Sequence, residues 1–153
     1  MTKDEERSDR VYKAWETRRL YEFEINSKIL RKEKLHIQVP IKTLISEAKS
    51  IWKKVFFFRM TNFPDIRLGP GVKHGSRMTS YYHWYNHEIE FAPGERDRIT
   101  LAHELVHAYG REYHDFEFIF QEFKIFSEAY NVSLSELSNE AETYKLSYQP
   151  CIF

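Results

Sequence analysis

The chain has 153 residues, and its 23 Lys and Arg against 23 Asp and Glu leave no formal net charge, which removes a domain-wide positive field as a ground for nucleic-acid binding. Hydrophobic residues at 42% and aromatic residues at 16% argue against disorder, and one cysteine, Cys151, excludes both a disulfide framework and a Cys-rich zinc site. The length is that of a single domain, residues 1–153; no run approaches 18 apolar residues and no apolar stretch follows Met1, so the expectation is a cytoplasmic protein with no membrane partner.

Residues 1–8 read as a frayed tail, followed by a helix in which Val11, Tyr12 and Trp15 recur, running to about Arg19. Arg7, Arg10, Lys13, Arg18, Arg19, Lys28, Arg31, Lys32 and Lys34 put the basic weight at this end, while Glu5, Glu6, Glu16 and Glu22 interleave as on a solvated charged face. Residues 35–39 read as a short strand. Pro40, at a first helical position, opens a helix in which Ile41, Leu44, Ile45, Ala48, Trp52, Val55 and Phe56 share a face. Residues 56–60 fit either its last turn or a strand, and Pro64, Gly69, Pro70 and Gly71 mark turns. Residues 78–85 and 88–91 predict a β-hairpin turning at Asn86-His87, with Ile89 and Phe91 inward and Glu88 and Glu90 outward.

The segment that follows carries the chemistry. Ile99, Leu101, Ala102, Leu105, Val106, Ala108 and Tyr109 make it apolar on most sides, as in a buried helix, and Gly110 ends it. Within it stands His103-Glu104-Leu105-Val106-His107. On a helix the two histidines lie four residues apart on one face, so both imidazoles reach one ion about 2 Å away. Glu104 is turned about 100° from His103, beside the ion rather than on it, where it can take a proton from the attacking water. His114 returns seven residues after His107 as a third ligand. Three histidines leave the fourth tetrahedral position open, as a catalytic zinc requires. The competing readings are two core histidines with ordinary partners and, for His114, a surface residue at a helix start.

Phe116, Ile119, Phe120, Phe123, Phe126 and Tyr130 predict a further amphipathic helix, with Phe118 fixing the His114 rotamer and Asp115 as N-cap or as acceptor behind the ligand. A last helix from about Leu134 presents Leu134, Leu137, Ala141 and Tyr144 on one face, opened by a Ser133/Glu136 capping box. Tyr81, Tyr82 and Trp84 are candidates for a substrate cleft wall beside the metal helix. Tyr109 and Tyr113 are candidate donors to a developing oxyanion. His83 and His87 are the rival metal ligands, and His36 and His74 read as surface histidines. The sum is an α+β domain: a small, mainly antiparallel sheet with a metal helix and supporting helices.

His103-Glu104-Leu105-Val106-His107 with His114-Asp115-Phe116-Glu117-Phe118 resembles the minimal zincin core of the SprT-like and WLM metalloproteases over residues 95–126. The resemblance implies a zincin-like fold, Zn²⁺ held by His103, His107 and His114, and Glu104 as catalytic base. It also implies hydrolysis of intracellular protein or peptide substrates, often attached to DNA. The Cys-rich zinc ribbon that several relatives add has no counterpart in a chain with one cysteine. Two other functions remain open at this point: a metal-stabilised binding module without activity, and a peptidase that cleaves a repressor.

Overall fold

The computed structural model describes residues 2–56 and 62–146, and for residues 7–16 the backbone alone. The first helix, α1 (Lys3–Asn26), starts where a frayed tail is expected, because Thr2 and Glu5 form a capping box and Asp4, Glu5 and Glu6 fill the first turn. Each bond satisfies an amide the helix itself leaves unpaired, and the acids face the positive end of its dipole. Ser27 ends α1 and caps the short α2 (Lys28–Lys32) through Leu30 N–H.

Residues 35–39 are not a strand. Lys34 takes a positive φ of 60°, and the following stretch is tied to residues 96–98, where the fourth helix begins, by isolated bonds, Val39 N–H to Arg96 O and Arg98 N–H to Leu35 O, rather than by a ladder. Pro40 is the N-cap rather than the first residue of α3 (Ile41–Lys54), whose Leu44, Ala48, Ile51 and Trp52 are buried. Val55 and Phe56 lie just beyond it, also buried. The remaining part of the 56–60 run lies outside the described residues.

The strands are β1 (Asp65–Leu68), β2 (Val72–His74), β3 (Arg77–Thr79), β4 (Tyr81–His83) and β5 (Glu88–Phe91). One sheet has the order β1-β5-β4, with β1 parallel and β4 antiparallel to β5; β2 and β3 form a separate antiparallel ribbon. The expected strand over 78–85 therefore breaks at Ser80, whose N–H donates to Glu95 Oε1 at 2.5 Å and whose Oγ accepts from Ala92 N–H at 2.9 Å. Those bonds divert the chain from one sheet to the other. The hairpin β4–β5 turns over residues 84–87, with His87 at φ 52°.

Ile89 and Phe91 face the core as expected, but Glu90 is also buried. The turn through Gly69 and Gly71 covers its side of β5, and turn and neighbouring strands supply donors: Glu90 accepts from Gly71 N–H at 2.5 Å, from Arg67 Nη2 of β1 at 2.6 Å and from His83 Nε2 of β4 at 3.1 Å. A Cβ on Gly69 would stand 2.7 Å from that carboxylate. These bonds draw the carboxyl below its ordinary range against the upward push of burial.

Helix α4 (Arg98–Tyr109) runs under the sheet, capped by Asp97 on Thr100 N–H, with eight of its residues buried from Ile99 to Ala108. Gly110 closes it at φ 123° and donates to His107 O. A side chain is rarely tolerated at that φ, so the sharp exit toward His114 needs glycine. Helix α5 (Phe116–Tyr130) is capped by Asp115 on Phe118 N–H and ends at Asn131 in the left-handed region. Ser133 caps α6 (Leu134–Thr143) through Glu136 N–H, burying Leu137 and Ala141 and leaving Leu134 exposed. Phe23, Trp52, Phe91, Leu101, Leu105, Phe118, Phe123 and Phe126 fill the core between helices and sheet. The domain is thus α+β, and its core packs α4 between β4–β5 on one side and α5 on the other.

Candidate metal centre

His103 and His107 leave the same face of α4, and the turn after Gly110 returns His114 to them. His114 Nε2 lies 3.0 Å from His103 Nε2 and 3.1 Å from His107 Nε2. A tetrahedral ion about 2.0–2.1 Å from each nitrogen would set them about 3.3 Å apart, close to this spacing. The ring of Phe118 sits 4.9 Å from that of His103 and 4.8 Å from those of His107 and His114, and is fully buried. One aromatic side chain thus backs all three imidazoles.

The far nitrogens decide what these rings can do. An imidazole bound through Nε2 keeps its hydrogen on Nδ1 and needs an acceptor there. All three have one: His103 Nδ1 is 2.7 Å from Glu24 Oε2, His107 Nδ1 is 2.8 Å from Arg111 O, and His114 Nδ1 is 2.9 Å from Thr17 Oγ1. A carbonyl oxygen cannot donate, so His107 must carry its proton on Nδ1 and aim a bare Nε2 lone pair inward. Burial, then the neighbouring His103 charge, draws His107 down to about 3 and His114 also far down, so both are neutral. For His103 burial acts downward too, but the Glu122 carboxyl and the Glu104 charge outweigh it and the net direction is up. Protons alone do not satisfy the group. His114 Nε2 cannot donate to one neighbour and accept from the other at once, whereas a cation satisfies three lone pairs together. The residues therefore fit a divalent metal ion with nitrogen preference.

Glu104 is buried, 6% exposed, and its carboxyl takes a bond from the Tyr82 backbone N–H of β4. Burial pushes it up to about 7, against the lowering by His103. A carboxyl held near neutrality is suited to accept and return a proton. It shares with the three histidines a cleft of about 670 Å³, also lined by Thr17, Tyr21, Glu24, Tyr81, Trp84, Glu95 and Tyr113.

The remaining expected residues divide. Asp115 is the N-cap of α5, its bond spent on Phe118 N–H. Tyr81 and Trp84 line the cleft and are exposed, and Tyr113 lines it from the ligand loop. Tyr82 lines it too, but its side chain is buried and its hydroxyl meets His87 Nδ1. Tyr109 is not in the cleft: its ring stacks on Phe56 at 4.5 Å, because position 109 follows the α4 face turned toward α3. The rival ligands are engaged elsewhere, His83 on Glu90 and His87 on Asn62 O at 2.6 Å. His74 is exposed and His36 half-buried, yet both line the cleft. Of the basic residues, Arg18, Lys28, Arg31, Lys32 and Lys34 have exposed positions, while the side chains of Arg7, Arg10 and Lys13 lie outside those described.

Sequence reading missed the groups behind the ligands. Glu24, Thr17 and the fully buried Glu122, whose Oε2 is 3.5 Å from His103 Nδ1, surround the histidines from α1 and α5. Burial pushes Glu24 up to about 8 and Glu122 well above the carboxylate range. Glu122 does stand at an otherwise apolar position of α5, and a lone acid on a core face is the one signal that pointed to it. Comparisons with protein-family models, curated proteins and solved structures return no match for this chain.

Proposed function

We propose that the protein is a zinc-dependent peptidase that hydrolyses peptide bonds of protein substrates in the cleft above α4. The observation that carries this reading is the convergence of three Nε2 atoms, each with an acceptor behind its Nδ1, with Glu104 beside them in the same cleft. Bound there, Zn²⁺ supplies a Lewis acid that polarises a carbonyl and makes water acidic near neutral pH.

The chain's own groups supply the rest. Glu104 accepts the proton of the attacking water and returns it to the nitrogen of the leaving amine. Its place in the cleft beside the three imidazoles puts the carboxyl where both transfers can be made. With the ion on their Nε2 atoms His103, His107 and His114 would be neutral, and their Nδ1 hydrogens, committed to Glu24, Arg111 and Thr17, would keep them oriented. Tyr81 and Trp84 give an aromatic wall for the substrate's side chains. The resemblance of residues 95–126 to SprT-like and WLM metalloproteases supports the same reaction and a zincin-like assignment of the α+β fold. The exposed rings of Tyr81, Trp84 and Tyr85 favour one rival, a metal-stabilised binding module.

The test is cleavage of unfolded protein substrates by protein loaded with one zinc per chain, with and without DNA, and with Glu104→Gln alongside. Cleavage that is lost in the variant while zinc is retained supports the peptidase. Zinc-loaded protein inert under every condition, with partner binding unchanged by Glu104→Gln, supports the binding module.

A further inference from the structure

The three ligands come from α4 and the loop after it, but two of the three groups that orient them come from a helix about 80 to 100 residues earlier in sequence. Thr17 and Glu24 are seven residues apart on α1, two helical turns, so their side chains leave one face. Tyr21 lies between them and lines the same cleft. On that face Thr17 Oγ1 meets His114 Nδ1 and Glu24 Oε2 meets His103 Nδ1. Among the described side chains of this helix, only Leu20 and Phe23 join the core cluster, with Phe23 against Phe123 and Tyr144.

We propose that α1 is a working part of the metal centre: Thr17 and Glu24 are positioning residues for His114 and His103, and ion binding is therefore linked to the docking of α1. The proposal rests on the metal reading above. Its physical basis is reciprocity. If the docked helix raises ion affinity by fixing the tautomer and direction of two imidazoles, the ion must favour the docked helix by the same factor. With α1 away, His114 loses its Nδ1 acceptor, His103 is left with only the more distant Glu122 Oε2 at 3.5 Å, and the cleft loses the wall that carries Tyr21. Stripping the ion then loosens the N-terminal helix, and the same helix is a place where a partner could regulate the site.

The test measures zinc affinity by competition with a chelator, and amide exchange over residues 20–26 with zinc bound and with it removed. Thr17→Val keeps the shape and removes the acceptor, so zinc should bind 10–100-fold more weakly, and Thr17→Ser should restore it. Glu24→Ala should weaken binding to a similar degree and Glu24→Gln less, because the amide oxygen still accepts. The visible spectrum of the cobalt-substituted protein should change in Thr17→Val and not in Thr17→Ser. In the wild type zinc should slow exchange in α1 by about the factor that the two substitutions together cost in zinc affinity. Zinc bound by both variants as tightly as by wild type, or α1 exchange unchanged by bound zinc, would overturn the proposal while leaving the metal site intact. A wild type that holds no zinc would remove both. Should Glu24→Ala fail to fold, the Thr17 pair decides alone.

Discussion

Glu104→Gln separates what the fold needs from what the chemistry needs, because the two should move in opposite directions. Glu104 is shifted from 4.5 to about 7 by burial, with the metal ion absent. Between those values the folded protein holds a proton that the unfolded chain has released, so stability falls as pH rises through the window. At about 1.4 kcal/mol for each tenfold in proton affinity, the ionised carboxylate costs on the order of 3 kcal/mol above pH 7. Near pH 5 the cost shrinks below about 1 kcal/mol. Glutamine has the same shape, still accepts from Tyr82 N–H and cannot ionise. In chelator, urea unfolding should therefore show the variant more stable than wild type by up to about 3 kcal/mol at pH 8 and nearly equal at pH 5. Saturating zinc should narrow the gap, since a cation favours the carboxylate. Cleavage should fall 10² to 10⁴-fold in the same variant. A variant no more stable than wild type at pH 8 in chelator would refute the burial argument, and cleavage at the wild-type rate would refute the role as base.

His103→Ala and His107→Ala should each abolish stoichiometric zinc, and His114→Ala should weaken it more mildly, measured by metal analysis after dialysis; zinc released instead by His83→Ala or His87→Ala would reassign the ligands. Phe118→Ala removes a fully buried ring that touches three ligands, so it should cost about 3–5 kcal/mol in denaturant unfolding and also lower zinc affinity. Stability lost with zinc affinity unchanged would show that Phe118 only fills space. Tyr109→Phe should leave kcat unchanged, since that ring stacks on Phe56 outside the cleft. A fall of about 10²-fold, as for a lost oxyanion donor, would return the hydroxyl to the site.

Much of the centre is legible because its information is local. His103 and His107 share a face by helical periodicity, Glu104 follows from the same geometry, and the Gly110 exit with the Asp115 cap fixes where His114 can return. The face of α3, and those of α5 and α6 apart from the exposed Phe116 and Leu134 at their first positions, follow from apolar spacing for the same reason. What fails depends on distant partners. Residues 35–39 have the pattern of a strand but find no strand beside them, only the entrance of α4. Glu90 alternates outward by period, yet the Gly69–Gly71 turn folds over it with a donor from Gly71, and Arg67 of β1 adds another. Alternation locates a side chain relative to its own sheet, not relative to a loop arriving from elsewhere. Thr17 and Glu24 are ordinary residues of a polar helix until tertiary packing places them behind two imidazoles.

That packing also explains why the centre should be the part of the fold most dependent on its ligand. Glu104 and Glu122 are buried and Glu24 half-buried, and all three are pushed toward their neutral forms, while His107 and His114 are pushed toward theirs. Left to itself the site holds converging lone pairs and desolvated carboxyls, each costly away from water. A dication bound there would reverse the sign of most of these terms at once: it would take the three lone pairs, polarise the Nδ1 hydrogens toward their acceptors and favour the anionic form of Glu104. The groups that make the apo centre unfavourable are thus the ones that make it selective for a cation. Phe118, fully buried with its ring 4.8–4.9 Å from each imidazole, keeps water from the side of the ligands on which it packs.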